Sequence, residues 1–518
     1  MASDPRLRLL VGAPGSPLAA EILRLLDETR VVVRSGPSLT GGHSVAFAAF
    51  LTMVTRLFGH VTIATPVHLA PNWWGATDAD GLLERLAAVR PTSTTVPRRD
   101  VVATFGTDAQ PGEVNIGGGD WTVRLGTDPQ PLDRDATHAL GVHAAASLAV
   151  SQLLLLALHS VGFPGVRVGA SYVMNLIDYA LTETPGRSPE PTTQWREELL
   201  LAFAGVGSVG SSALALLACA TAPSLRTPSA VLERPVRIVT IDSDNFDPQR
   251  NPFRYPALIG GEMDNKAKHV AGRLADLGLA TTAAPISVAS WNQQQDQPGF
   301  HGLLVSSVDT IPGRQDIADV LARHTLSVGV AGLELHAQRE AFADGYACPF
   351  CDFVSAEFPL TQAGVYAQLT GLEITRVLTL LQEGARLASE DVDRAVGAAK
   401  VAADRRDALV GAPLSDLVRQ AYAEAELRVP GAEADTGVVA VASPQVSWFA
   451  GVLTAAEIVK ELQGLPLLDR RVDVDVSGLP PGLVRRVPAD TTGRCVCRSG
   501  TRTAWYRTLY SEPAAGTN

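Results

Sequence analysis

Cysteine is scarce. The 518 residues hold five, too few for a disulfide-scaffolded secreted protein. Four stand in two close pairs, Cys348/Cys351 and Cys495/Cys497, a pattern that reads as a cytoplasmic metal-binding protein. Positive charge is also short: 43 Lys and Arg against 54 Asp and Glu leave a net charge of −11. Nucleic acid and anionic membrane both need clustered cations, so neither is expected as a partner. The opening MASDPRLRLLVGAPG lacks the long apolar core of a secretory signal. Ala139–Gly162 has the length to span a bilayer, but His143, Ser147, Ser151, Gln152 and His159 interrupt it. It reads as a helix buried inside an α/β protein, with no membrane span.

What is present begins with a chain that is 46% hydrophobic and 19% charged, globular and too long for one core. The strongest strand–loop–helix signal is the apolar run Leu199–Ala204, then Gly205-Val-Gly207-Ser-Val-Gly210, then the helical SSALALLACA. A second strand, Val236–Ile241, ends in Asp242, giving a βαβ unit with glycines where backbone must approach a phosphate. Thr221–Pro235 is rich in Pro, Ser and Thr and reads as an insertion. Strands follow at Leu303–Ser307 and Leu326–Val330.

Before residue 190 the same order of elements appears in degraded form. Val31–Val33 leads into Gly36, Gly41 and Gly42, then a helix over Ser44–Phe58, then Val61–Ile63. Strands near Val101–Phe105 and Trp121–Leu125 and a long apolar helix from Gly141 complete it, as Gly451–Lys460 completes the second series. This predicts an internal duplication. The expected organisation is a degenerate half over 1–183, a linker over 184–193, and an ATP-binding half over 194–359 with the first cysteine pair. A helical insertion over 360–426 follows, then the remainder of the second half over 427–513 with the second pair, and a disordered tail over 514–518.

A glycine loop alone serves many nucleotide binders. What sharpens it is Asp242-Ser-Asp244, then Asn251 and Arg254 three apart, then Lys266 opening KAKHVAGRL. A hydride-transfer domain needs one acid there and has no use for the amide and the cations. Two cations and an amide suit a triphosphate attacked at its α-phosphate. Asp309, at the end of an apolar strand and five residues before Arg314, is a natural Mg²⁺ ligand.

Taken together, Asn251/Arg254, Lys266 and Asp309/Arg314 after a glycine loop resemble the ubiquitin-activating-enzyme-like family, which adenylates ubiquitin-like and sulfur-carrier proteins. One extra residue between Asp242 and Asn251 departs from that pattern. The resemblance covers roughly Leu199–Cys351 and resumes at Trp448–Leu462. It implies an α/β chain of two Rossmann-like adenylation-type halves, the second active, with ATP and Mg²⁺ bound there. Asp242 would hold the ribose with Asp244 as a second acid, and Gly205, Gly207 and Gly210 would form the loop that lines the nucleotide. Asn251, Arg254 and Lys266 would hold the phosphates, and Asp309 would organise Mg²⁺. The first half offers Thr65-Pro66 where Asp242 needs a counterpart, as in the inactive half of eukaryotic members. Such a half lends an arginine from its N-terminal segment, which here would be Arg6 or Arg8.

Cys348, Cys351, Cys495 and Cys497 form a set suited to tetrahedral, structural zinc, which the family commonly carries; a redox CxxC is the alternative. Cys219 reads as a helix-buried small hydrophobe. No cysteine lies between Cys351 and Cys495 to take a thioester, so Ser443 is a candidate for an oxyester, against a plain turn serine before Pro444. The leading function is adenylation of a ubiquitin-like or sulfur-carrier protein's C-terminal carboxylate, with release of pyrophosphate. A conjugating enzyme or other acceptor would follow, and a homodimer is a further option. The competing functions are nucleotidylation of a peptide in natural-product biosynthesis and a non-catalytic nucleotide- or peptide-binding scaffold. The retained Asp309, Arg254 and Lys266 count against the scaffold.

Overall fold

Two sheets, each parallel at its centre, hold all fourteen described strands. The computed structural model describes residues 6, 17–36, 39, 41–91, 93–107, 113–134, 136–158, 172–181, 198–222, 225, 236–247, 251–260, 262–308, 310–331, 333–351, 354, 362–425, 443–476 and 483–510. The linker over 184–193 and the tail over 514–518 lie outside them.

The first sheet contains β1 (Thr29–Ser35), β2 (His60–Ile63), β3 (Arg99–Phe105), β4 (Val114–Gly118), β5 (Thr122–Gly126) and β6 (Tyr172–Asn175), in the order β2-β1-β3-β4-β5-β6. Its first four strands in that order are parallel and the last two antiparallel. The second contains β7 (Leu199–Ala204), β8 (Val236–Ile241), β9 (Ala280–Ala284), β10 (Phe300–Ser306), β11 (Ala322–Ala331), β12 (Glu334–Glu340), β13 (Arg471–Asp475) and β14 (Leu483–Arg485). Its order is β14-β13-β12-β11-β10-β7-β8-β9. Over six strands the two orders coincide. The run β8-β7-β10-β11-β12-β13 repeats the first sheet, including the switch from parallel to antiparallel pairing. Strand β7, LLLAFA, is apolar without alternation because it is central, parallel and covered on both faces.

Four helices are apolar on nearly every side, a pattern that only burial from all directions tolerates. They are Gly41–Leu57, Leu140–Leu158, Ser208–Thr221 and Pro444–Gln463. Leu140–Leu158 lies on β4 and β5, Pro444–Gln463 lies on β11 and β12, and the two pack on each other. One hydrophobic core therefore runs from the first sheet into the second. Leu140–Leu158 is long and apolar enough to cross a membrane, and 94% of its most apolar window is buried within the protein. Residues 362–425 are helical and have a separate core around Val377, Val392 and Leu417.

Buried histidines mark the start of the Leu140–Leu158 helix. Asp120 accepts hydrogen bonds from the amides of Thr137, His138 and Ala139, holding the chain where the helix begins. His43, His138 and His143 are buried nearby, and both ring nitrogens of His143 lack a hydrogen-bond partner. Burial lowers the pKa of all three, that of His143 to about 3. Unfolding returns such a group to about 6.5, so below that pH the unfolded chain binds more protons and stability falls. His143 alone is expected to cost about 2 kcal/mol between pH 7 and pH 5. Urea unfolding at the two pH values checks this. His143→Leu should flatten the pH dependence by that amount, and an unchanged dependence in the variant would refute the assignment.

Candidate functional site

The glycine loop after β7 is shaped by two close approaches. Gly205 has φ +89°, and its carbonyl accepts from the Ser307 hydroxyl at 2.7 Å. A Cβ on Gly210 would stand 2.3 Å from that same carbonyl oxygen, so the loop can fold back on itself only without a side chain there. Gly207 differs. The nearest atom to a Cβ placed on it is the Tyr255 hydroxyl, 3.7 Å away. Gly207 is the N-cap of the Ser208–Thr221 helix and supplies no side-chain cap, which leaves that helix start without a capping acceptor of its own.

Acids and cations gather beside this loop. Asp242, at the end of β8, accepts from the Val206 amide at 2.8 Å and the Asp244 amide at 2.9 Å. It thereby ties the glycine loop to the second strand. Burial raises the Asp242 pKa despite the Lys266 ammonium nearby. Asn265 caps the Lys266–Asp276 helix by accepting from the Lys268 amide at 3.1 Å. Its Nδ2 donates to the carbonyls of Asp242 and Asp244 at 2.9 and 3.0 Å. That fixes Lys266 as the first residue of its helix, with Nζ 3.1 Å from Asp244 Oδ2. Burial opposes the Lys266 charge, but Tyr255, Asp242 and Asp244 outweigh it and hold the pKa above the ordinary lysine range. Arg254 ends the short Asn251–Arg254 helix; its carbonyl accepts from the Ser208 hydroxyl, and its Nε is buried without a partner.

The structure thus brings together Gly205, Gly207, Gly210, Asp242, Asp244, Arg254 and Lys266. The Asn251 side chain, Asp309 and Arg8 lie outside the described residues. Arg6 is placed elsewhere. It is buried in an ion pair with Asp27 at 2.8 Å, with Leu57 O 3.4 Å from Nη1. Arg6 thus holds two helix ends of the first half, and Arg8, the other arginine named for that role, lies outside the described residues. Ser443 stands at the N-cap position of Pro444–Gln463, buried, with a hydroxyl that makes no capping bond and has no partner. Arg314 donates to Ser306 Oγ at 2.8 Å and to the Val328 carbonyl at 3.0 Å, bracing β10 and β11. Tyr255 and Asn265 belong to the site but carry no motif that singles them out; for Asn265 the only signal is a capping residue before a helix.

The four predicted cysteines converge. Sulfur–sulfur distances are 3.5 Å for Cys348–Cys495, 3.8 Å for Cys348–Cys351, 3.6 Å for Cys351–Cys495 and 3.5 Å for Cys351–Cys497. A disulfide needs about 2.05 Å. The edges of a tetrahedron with ~2.3 Å metal–sulfur bonds are about 3.8 Å. All four sulfurs lie within 4.8 Å of one another, a cluster compatible with zinc. Amides of Phe350 and Asp490 point at Cys348 Sγ and Cys351 Sγ, both at 3.4 Å. The adjoining Gly500–Tyr510 helix is tied to the second sheet by the Tyr510 hydroxyl, which donates to the Leu321 carbonyl at 2.7 Å.

No family model matches this sequence, and no curated protein matches it. Among solved structures it is similar in part to the microcin C7 biosynthetic enzyme MccB in complex with N-formylated MccA. That match has 11% identity over 58% of this chain and 67% of that one, with a TM-score of 0.33. E. coli MccB with ATP gives 11% identity, the same two coverages and a TM-score of 0.32. E. coli MccB with MccA-N7isoASN gives 11% identity over 58% and 66%, with a TM-score of 0.32. These are partial likenesses, too distant to transfer chemistry.

The cysteine geometry predicts one zinc per chain by elemental analysis. Cys348→Ser or Cys497→Ser should lose the metal and lower the melting temperature. A metal-free protein with a Cys348–Cys351 disulfide would establish the redox alternative instead.

Proposed function

We propose that the second half binds ATP and adenylates a carboxylate. The observation that carries this is the uncapped helix start at Gly207, tied through Ser208 to the Arg254 carbonyl and through Val206 to Asp242, with the buried, unpartnered Nε of Arg254 and the Lys266–Asp244 pair in the same loop cluster. A helix N-terminus with two cations beside it is chemistry for a polyphosphate. Asp242 and Asp244 then lie where a ribose would be held, and Asp309 is the proposed Mg²⁺ ligand. In the reaction a carboxylate oxygen attacks the α-phosphorus, the bond to the β-phosphate breaks, and pyrophosphate leaves as the acyl adenylate forms. Lys266 and Arg254 stabilise the charge that builds up on the phosphates.

The carboxylate donor is either a ubiquitin-like or sulfur-carrier protein or a peptide. MccB, a biosynthetic enzyme solved with MccA and with ATP, parallels the peptide reading. Accordingly, peptide nucleotidylation is tried first.

The test is exchange of labelled pyrophosphate into ATP, with candidate peptides and carrier proteins as donors. Exchange is expected only with the true donor present. Lys266→Ala should slow it by roughly 100-fold and leave the melting temperature near wild type. Full exchange in Lys266→Ala would remove that cation from the site. Failure of the protein to bind any ATP analogue would sink the adenylation reading altogether.

A further inference from the structure

The loop after β2 occupies, in the first sheet's order, the place that Asp242–Asn265 occupies in the second. It contains Pro71-Asn72-Trp73-Trp74-Gly75, which has none of the acids or cations of its counterpart. Asn72 organises it from within. Its Oδ1 accepts from the amides of Trp74 and Ala76 at 3.1 and 3.3 Å, and its Nδ2 donates to the carbonyls of Ala70 and Ala76, both at 2.7 Å. Gly75, at φ +64°, turns the chain back.

This loop reaches into the other half at a telling place. Trp74 Nε1 donates to the Pro256 carbonyl at 3.0 Å and Trp73 Nε1 to the Ala257 carbonyl at 2.8 Å. Arg56, at the end of the Gly41–Leu57 helix, donates to the Tyr255 carbonyl at 3.0 Å and also to that of Leu258. Four consecutive carbonyls, directly after Arg254, are thus taken by three side chains of the first half. The Trp73 carbonyl in turn accepts from Arg273 Nε and Nη2 at 2.9 and 2.6 Å. Arg273 rides on the helix that Lys266 opens. Trp74 also stacks on Trp448, with ring centroids 5.6 Å apart.

We propose that Arg56, Trp73 and Trp74 are positioning residues that set Arg254 and Lys266 at their working separation, so that the first half governs nucleotide affinity without touching the nucleotide. This deepens the proposed function and rests on it. A four-residue helix cannot hold its own geometry, and the turn that follows it closes on a single backbone bond, from the Leu258 amide to the Tyr255 carbonyl at 3.0 Å. Their position is therefore imposed from outside. Trp73 links the two elements that carry the cations, through Ala257 to the segment after Arg254 and through Arg273 to the helix of Lys266.

Trp73→Phe removes one indole donor and keeps a large ring. It should raise the dissociation constant for a non-hydrolysable ATP analogue and the KM for ATP by about tenfold. The kcat should fall as well, because the same cations stabilise the reacting phosphates, while the KM for the carboxylate donor should change less than about twofold. Amide hydrogen exchange over 253–260 should quicken in Trp73→Phe and in Arg56→Met, and Arg56→Lys should restore part of the protection. A fall in kcat at unchanged ATP affinity, or unaltered protection over 253–260 in both variants, would overturn the proposal. If the wild-type protein binds no ATP analogue, the adenylation reading fails. Hydrogen exchange then judges the clamp alone: faster exchange confined to 253–260 upholds it, and unchanged exchange ends it.

Discussion

The close approach of the Pro444–Gln463 and Ser208–Thr221 helices at Gly451 is the contact on which the rest of the molecule depends. A Cβ at Gly451 would stand 2.8 Å from the Ser212 Cβ and 2.9 Å from the Ala213 amide nitrogen, so no larger residue fits without pushing the helices apart. Ser208–Thr221 carries the glycine loop at its start, and Pro444–Gln463 carries Trp448, on which the first half's Trp74 stacks. Displacing one helix from the other would move the loop relative to Arg254 and Lys266. The same shift would open the core shared by the two sheets. Stability and site geometry therefore reside in one packing contact.

Charges inside that core fix how the halves sit. Glu457, fully buried, accepts from the Tyr179 hydroxyl at 2.6 Å, from Arg339 Nε at 3.2 Å and from the Leu468 amide at 2.9 Å. Lys460 pairs with the same carboxylate and donates to the Ile177 carbonyl at 3.0 Å. Burial lowers the Lys460 pKa and raises that of Tyr179 well above the ordinary phenol. Such a network is no large source of stability, because desolvation offsets its attraction. Its effect is on registry. Sliding one half along the other would part Tyr179 and Ile177 from Glu457 and Lys460, and an uncompensated buried charge costs about 3–5 kcal/mol.

Much of the strand and helix pattern was legible because its signals are local. Leu199–Ala204 and Val236–Ile241 are apolar runs that end in glycine or aspartate, and they form β7 and β8 at those limits. Gly41–Leu57 and Leu140–Leu158 showed as glycine turns or long apolar stretches before helices. β9, ATTAA, and β12, ELHAQRE, were not legible, since neither is apolar or regularly alternating and both are strands only through their neighbours. At the site the chemical residue types were readable: acids, cations and glycines at fixed spacing. What braces them was not. Trp73 and Trp74 look like core aromatics in sequence, and Arg56 like the cationic end of a helix, until the second half's carbonyls are seen against them. Arg6 was legible as a cation, yet its Asp27 partner stands 21 residues along the chain and meets it only in the fold.

The cysteine cluster has a consequence for the order in which the molecule assembles. Its two pairs are separated by roughly 150 residues of chain, and the helices of 362–425 lie wholly within the loop that they close. In an unfolded chain the ends of so long a loop meet rarely, at an entropic cost of about 4 kcal/mol. Pro444–Gln463 and β13 also lie inside that loop, and the helix must dock on β11 and β12, and β13 on β12, before Cys495 and Cys497 can reach Cys348 and Cys351. Metal capture would then come late in folding, as a latch on a sheet already built. The helical segment inside the loop could vary in length or sequence without disturbing the latch, since its core is separate from the sheets.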